Sequence, residues 1–143
     1  MVDFGRGLKA GVIAGIIYGV IWGVIIFTIP AIIFASLWNL PGFQAAWALV
    51  ATIVLAITVV AGIIGGLIWG LIFALAYDYL PTQSSYPKAY ILSIIFWLVF
   101  DVLLNLGYIG DPIYLGISFV FGVIVFGSLM AFLWDSFAPP KTA

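Results

Sequence analysis

In an apolar chain, the residue best placed to do chemistry is an acid inside a hydrophobic run, and Asp101 is such a residue. It lies thirteen residues beyond Lys88. At 1.5 Å per residue this puts it about 20 Å into an apolar helix, past the midplane of a bilayer. An ionised carboxylate at that depth costs about 3 kcal/mol on insertion scales, so such acids face protein or a water cavity. Steps of three and four residues put Tyr90, Ile94, Trp97, Asp101, Asn105 and Tyr108 on one helical face. That stripe suits two chemistries. In one, Asp101 is a proton or cation site, with Asn105 as its second ligand and Trp97 shaping the cavity. In the other, a protonated Asp101 hydrogen-bonds across helices and holds the bundle, or a partner subunit, in register. Thr58, Ser93, Ser118 and Ser128 are further polar residues within apolar runs.

The rest of the composition narrows the chemistry by exclusion. The chain has no cysteine and no histidine, and its five acids are all Asp. Disulfides, thiolate centres and His-ligated metal or haem are therefore not expected within one chain, and the commonest general base is missing. The sequence contains no glycine-rich phosphate loop ending in Lys and no paired carboxylates at a useful spacing. The expectation is a protein that is not an enzyme, with no catalytic residue, no cofactor and no metal. A net charge of -1 offers no basic surface to nucleic acid. Asp111 with Pro112, after Gly107 and Gly110, reads as a tight turn rather than a ligand site.

The elements that position these residues follow from hydropathy. Of 143 residues 66% are apolar and 6% charged, a composition that no water-solvated surface tolerates. A span needs about 20 apolar residues, and the chain accommodates four, at about 8–29, 48–77, 89–106 and 113–134. The first stops or kinks at Pro30 and is too long for the apolar part of a signal peptide, which makes it a retained span. The second begins between Ala46 and Thr52; longer than one crossing needs, it must tilt, bend near Gly62, Gly65 and Gly66, or run past the membrane. The uncharged linker 30–44 reads as an interfacial or re-entrant segment with Trp38, Phe43 and Trp47 at headgroup depth. Tyr77, Tyr79, Tyr86 and Tyr90 mark one aromatic belt, and Tyr108 and Tyr114 the other.

With four alternating spans, Arg6, Lys9, Lys88 and Lys141 all fall on one side, and the opposite loops carry no cation. The positive-inside rule puts that side in the cytoplasm. The expected fold is an all-α integral membrane bundle of four transmembrane helices forming one domain over 1–143, with both termini cytoplasmic. Its expected setting is the cytoplasmic or plasma membrane of a prokaryote.

Two patterns bear on assembly. Gly7, Gly11, Gly15, Gly19 and Gly23 recur every fourth residue, as do Gly62, Gly66 and Gly70. In lipid, where helices gain little from burying apolar surface, such ladders allow close backbone approach. The ladders pack either on each other within one bundle or on another chain or a lipid tail. Residues 15–25, GIIYGVIWGVI, also align without gaps on 62–72, GIIGGLIWGLI, with eight of eleven positions identical. A weaker match relates 69–81 to 126–138 and aligns Asp78 with Asp135. The first relates spans that run in opposite directions, as in inverted repeats. The function expected from minimal loops and surplus glycine is a non-catalytic structural or accessory subunit. It would pack through its glycine ridges in a homo-oligomer or with other membrane subunits. The alternative is a small four-span transporter or channel that uses Asp101 for an ion or small molecule.

Overall fold

The computed structural model describes residues 2–103 and 111–139. Those residues are mostly helical and contain no strand, as lipid demands of a backbone that must satisfy its own hydrogen bonds. Three helices are long and apolar enough to cross a membrane: Phe4–Ile33, Phe43–Ala76 and the continuous stretch Pro112–Ser136.

Helix α1 (Phe4–Ile33) starts where the Asp3 carboxylate accepts the Arg6 amide at 3.0 Å, an N-cap that occupies one of the free donors of the first turn. The helix does not stop at residue 29 but continues through residue 30 to Ile33. A proline this close to a helix end removes one donor, and the remaining bonds carry the last turn. A 3-10 turn (Ala35–Asn39) and Gly42, at φ 79, then reverse the chain. The left-handed backbone at residue 42 is open to glycine at no steric cost. Helix α2 (Phe43–Ala76) begins five residues before position 48, because its first turns contain Ala45, Ala46 and Ala48, all strong helix formers. Its 34 residues pass without a break through Gly62, Gly65 and Gly66 and span about 51 Å.

Helix α3 (Ser85–Trp97) passes into π-helical turns over Leu98–Leu103. Helix α4 (Pro112–Phe119) is joined through π-helical Val120–Val125 to α5 (Phe126–Ser136). Asp111 is the N-cap of α4: its carboxylate accepts the amides of Ile113 at 2.9 Å and Tyr114 at 3.2 Å, and Pro112 occupies the first helical position, where no amide is needed.

The backbones lie in the order α2, α1, α5, α3, with α3 also against the π-helical turns before α5. The buried core, including Phe73, Met130, Trp69 and Trp134, sits at the end of the bundle where both chain ends and the α2–α3 link meet. At the other end, among the described residues, the α1–α2 hairpin extends beyond the other helices. Between Phe43 and Gly65 no residue of α2 is buried, and Leu49, Ile57 and Val60 are each more than half exposed.

Candidate functional site

The α1–α2 contact is made of backbone. A Cβ placed on Gly7 would meet the carbonyl of Gly70 and, at 2.8 Å, the Ala74 methyl. One on Gly11 would meet the Gly66 carbonyl, one on Gly15 the Gly62 carbonyl, and one on Gly19 the Thr58 carbonyl and the Val59 Cα. Gly23 faces Thr58 and Leu55. All five α1 glycines thus lie against α2. The offset that aligns residues 15–25 with 62–72 carries the contact Gly11–Gly66 onto Thr58–Gly19. A two-fold axis across the hairpin at Gly15–Gly62 has that property.

Arg6, Lys88 and Asp135 meet in a clasp at the end of the bundle that holds the core. Arg6 Nε donates to the Trp134 carbonyl at the end of α5, and the guanidinium lies 4.3 Å from the Trp134 ring centroid. It also approaches the half-exposed Asp135 at 3.6 Å. Asp135 in turn accepts the buried Ser85 hydroxyl at 2.5 Å, and Ser85 shares a 2.7 Å bond with the Tyr77 hydroxyl. Lys88, read from the sequence as a loop cation, is 6% exposed; its Nζ donates to the Tyr77 carbonyl at 2.6 Å and lies 3.8 Å from the Tyr77 ring centroid. Both cations therefore neutralise helix C-termini, where carbonyls lack intrahelical donors and the dipole is negative. The clasp joins α1, α2, α3 and α5. Its residues hold one another.

Between α2 and α3 lies a cavity of about 600 Å³. Its floor is α1, through Tyr18, Gly19 and Trp22, together with Gly122 and Phe126. Trp69 and Phe96, with ring centroids 4.5 Å apart, bridge the two walls. Tyr18 stands edge-on to Phe126 at 5.4 Å, and Phe126 stacks on Trp69 at 6.1 Å. Trp97 closes the far side, its indole N–H donating to Ser118 Oγ at 2.8 Å. Along α2 the lining runs from Ile57 to Trp69; Ile57, Ala61, Gly65 and Ile68 are exposed, whereas Gly66 and Trp69 are buried, so the cavity opens sideways.

Three features of this lining are not explained by packing. Ser93 is 2% exposed, and its hydroxyl has no hydrogen-bond partner among the described residues. Trp47 Nε1 and Trp134 Nε1 share that condition but do not border the cavity. A Cβ on Gly65 would meet nothing within 4 Å, and one on Gly122 only Trp97 at 3.9 Å. A helical glycine costs up to about 1 kcal/mol relative to alanine in water, and neither position recovers it through close backbone contact. Finally, π-helical turns, which concentrate at functional sites, follow Trp97 and contain Gly122.

Of the residues singled out in the sequence, Trp97 lines this cavity. The backbone of Asp101 belongs to the π-helical turns of Leu98–Leu103; its side chain, Asn105 and Tyr108 lie outside the described residues. Tyr90 and Ser128 share a 2.8 Å hydrogen bond between α3 and α5, next to Gly127, where a Cβ would press on Ser93 and Tyr90 at 3.1 Å. The cavity itself was not legible in the sequence, though Gly65, which stands outside the ladder of Gly62, Gly66 and Gly70, was a usable signal. The fold and its apolar helices define a helical membrane protein. The chain matches no family model, no curated protein and no solved structure.

Proposed function

We propose that this chain is a non-catalytic integral membrane protein that acts as a structural or accessory subunit of a membrane assembly. One observation carries the reading: the half of the α1–α2 hairpin away from the core has no cover among the described residues. Helix α2, at about 51 Å, exceeds both the roughly 30 Å hydrocarbon layer and the roughly 37 Å of Pro112–Ser136. No charge interrupts the sequence between Lys9 and Asp78. Spanning the hydrocarbon with that length by tilt alone takes an angle beyond the usual range of about 40°. Apolar helices of a neighbouring subunit would cover it instead. Because α2 covers the glycine ladder of α1, the partner face we assign is the outward stripe of Leu49, Ile53, Val60 and Ile64, with Val24 and Ile32 beside it.

The clasp brings both chain ends and the α2–α3 link to one end, an arrangement that supports four crossings. Arg6 and Lys88 at that end favour a cytoplasmic location for it. Native mass spectrometry of nanodiscs extracted directly from the source membrane tests the subunit reading. A defined larger assembly is expected, and it should dissociate when Ile53 and Ile64 are changed to Asn; a lone monomer in wild-type nanodiscs refutes it. A second reading is a small transporter or channel in which Asp101, on the π-helical turns that follow Trp97, serves as the proton or cation site. Cation or proton flux in liposomes, lost in Asp101→Asn, would establish that reading instead.

A further inference from the structure

We propose that the cavity between α2 and α3 binds a neutral, membrane-dissolved molecule with a flat ring and a hydrogen-bonding ring oxygen, of the quinone class. The opening fixes the route: Ile57, Ala61, Gly65 and Ile68 face the bilayer, so the ligand arrives from lipid. The lining fixes the charge. None of the described residues that line it is Asp, Glu, Lys or Arg, so among them a charged ligand finds no counter-ion. The volume of about 600 Å³ lies within the range of small-molecule sites.

The walls select shape. Trp22, Trp69, Phe96, Trp97 and Phe126 offer ring faces and edges, which favour a planar π-system. Gly65 on the α2 wall and Gly122 on the floor withhold side chains where no neighbouring backbone demands it. A slot between two missing side chains admits a flat ring. Ser93 selects polarity: its buried hydroxyl, without a partner where α3 meets Gly127, both donates and accepts, and a χ1 turn of this lining residue would bring it to a ring carbonyl or hydroxyl in the cavity. An acyl chain fits these features poorly, because it has no use for the hydroxyl and gains nothing specific from ring walls.

The test uses the full chain in phosphatidylcholine nanodiscs, with 2-methyl-1,4-naphthoquinone as probe. Three of the six tryptophans line the cavity, so bound quinone quenches intrinsic fluorescence. Saturable quenching is expected in the wild type. Gly65→Leu, which fills the slot, is expected to weaken it at least tenfold. Ser93→Ala preserves shape and is expected to weaken it about three- to tenfold, the loss of one hydrogen bond; it carries the test if Gly65→Leu fails to fold by circular dichroism. Quenching that rises linearly and equally in all three proteins reports partition into lipid and overturns the proposal. A dibrominated stearoyl chain that saturates, displaces the naphthoquinone and ignores Ser93→Ala would overturn it as well, by assigning the cavity to an acyl tail.

Discussion

The backbone contact between α1 and α2 predicts a large difference between two otherwise similar substitutions, Gly15→Ala and Gly65→Ala. Each adds one methyl group to the middle of a long apolar helix. At Gly15 the new Cβ would meet the Gly62 carbonyl oxygen, with the Gly62 carbonyl carbon at 2.7 Å and the Gly66 Cα at 3.1 Å. Ordinary contact begins near 3.4 Å, so the helices must part by about 1 Å around that point. A gap of 0.5–1 Å forfeits about a quarter to a half of each dispersion contact. Over the two turns affected, some 20 to 30 atom pairs at about 0.1–0.2 kcal/mol each lose between about 0.5 and 3 kcal/mol in total. The Cα–H···O contacts at the same crossing weaken with them. At Gly65 nothing lies within 4 Å, so alanine adds helix propensity without a clash and is neutral or stabilising. Gly15→Ala is therefore expected to be less stable than Gly65→Ala by about 1–3 kcal/mol. Reversible unfolding in mixed micelles, followed by far-UV circular dichroism, measures that difference. Equal midpoints for the two variants would refute the account of the hairpin as held by backbone approach.

Two further predictions come from the clasp and from topology. Lys88→Met keeps the buried stem but removes the donor to the Tyr77 carbonyl and the cation over the Tyr77 ring; a loss of about 1–2 kcal/mol in the same assay is expected, and an unchanged midpoint would show that the cation contributes nothing. Because the chain has no cysteine, single cysteines report sidedness cleanly: Ser84→Cys should react with a membrane-impermeant maleimide only in inside-out vesicles, and Asn39→Cys only in right-side-out ones, whereas reaction of both from one side would rule out α1 and α2 as successive crossings.

Much of the architecture was legible in the sequence, residue by residue. Hydropathy locates the α1–α2 hairpin because lipid imposes one rule on every backbone group along a span. The glycine spacing is visible for a related reason: close approach in a bilayer has few solutions, and Gly7 to Gly23 is one. Other positions resisted. Pro30 reads as a stop or a kink, and the helix runs on through it because so close to the end at Ile33 one missing donor is tolerated. Asp111 reads as part of a turn, and its role as the α4 cap depends on amides that become free only where that helix begins. Lys88 reads as a loop cation because nothing nearby in sequence foretells that Tyr77, eleven residues earlier, returns to meet it.

By itself, the sequence determined the solvent of this protein and the periodicity of its helices, since both depend on side chains a few residues apart. Only the tertiary structure decided what those helices do to one another. It spent the glycine ladder of α1 on α2 and gathered Arg6, Ser85, Lys88 and Asp135 into one clasp. It also left Ser93, Gly65 and Gly122 around a shared space. Those outcomes depend on which faces meet across distances of up to 128 residues along the chain, a choice made by packing and by hydrogen bonds that local patterns do not encode.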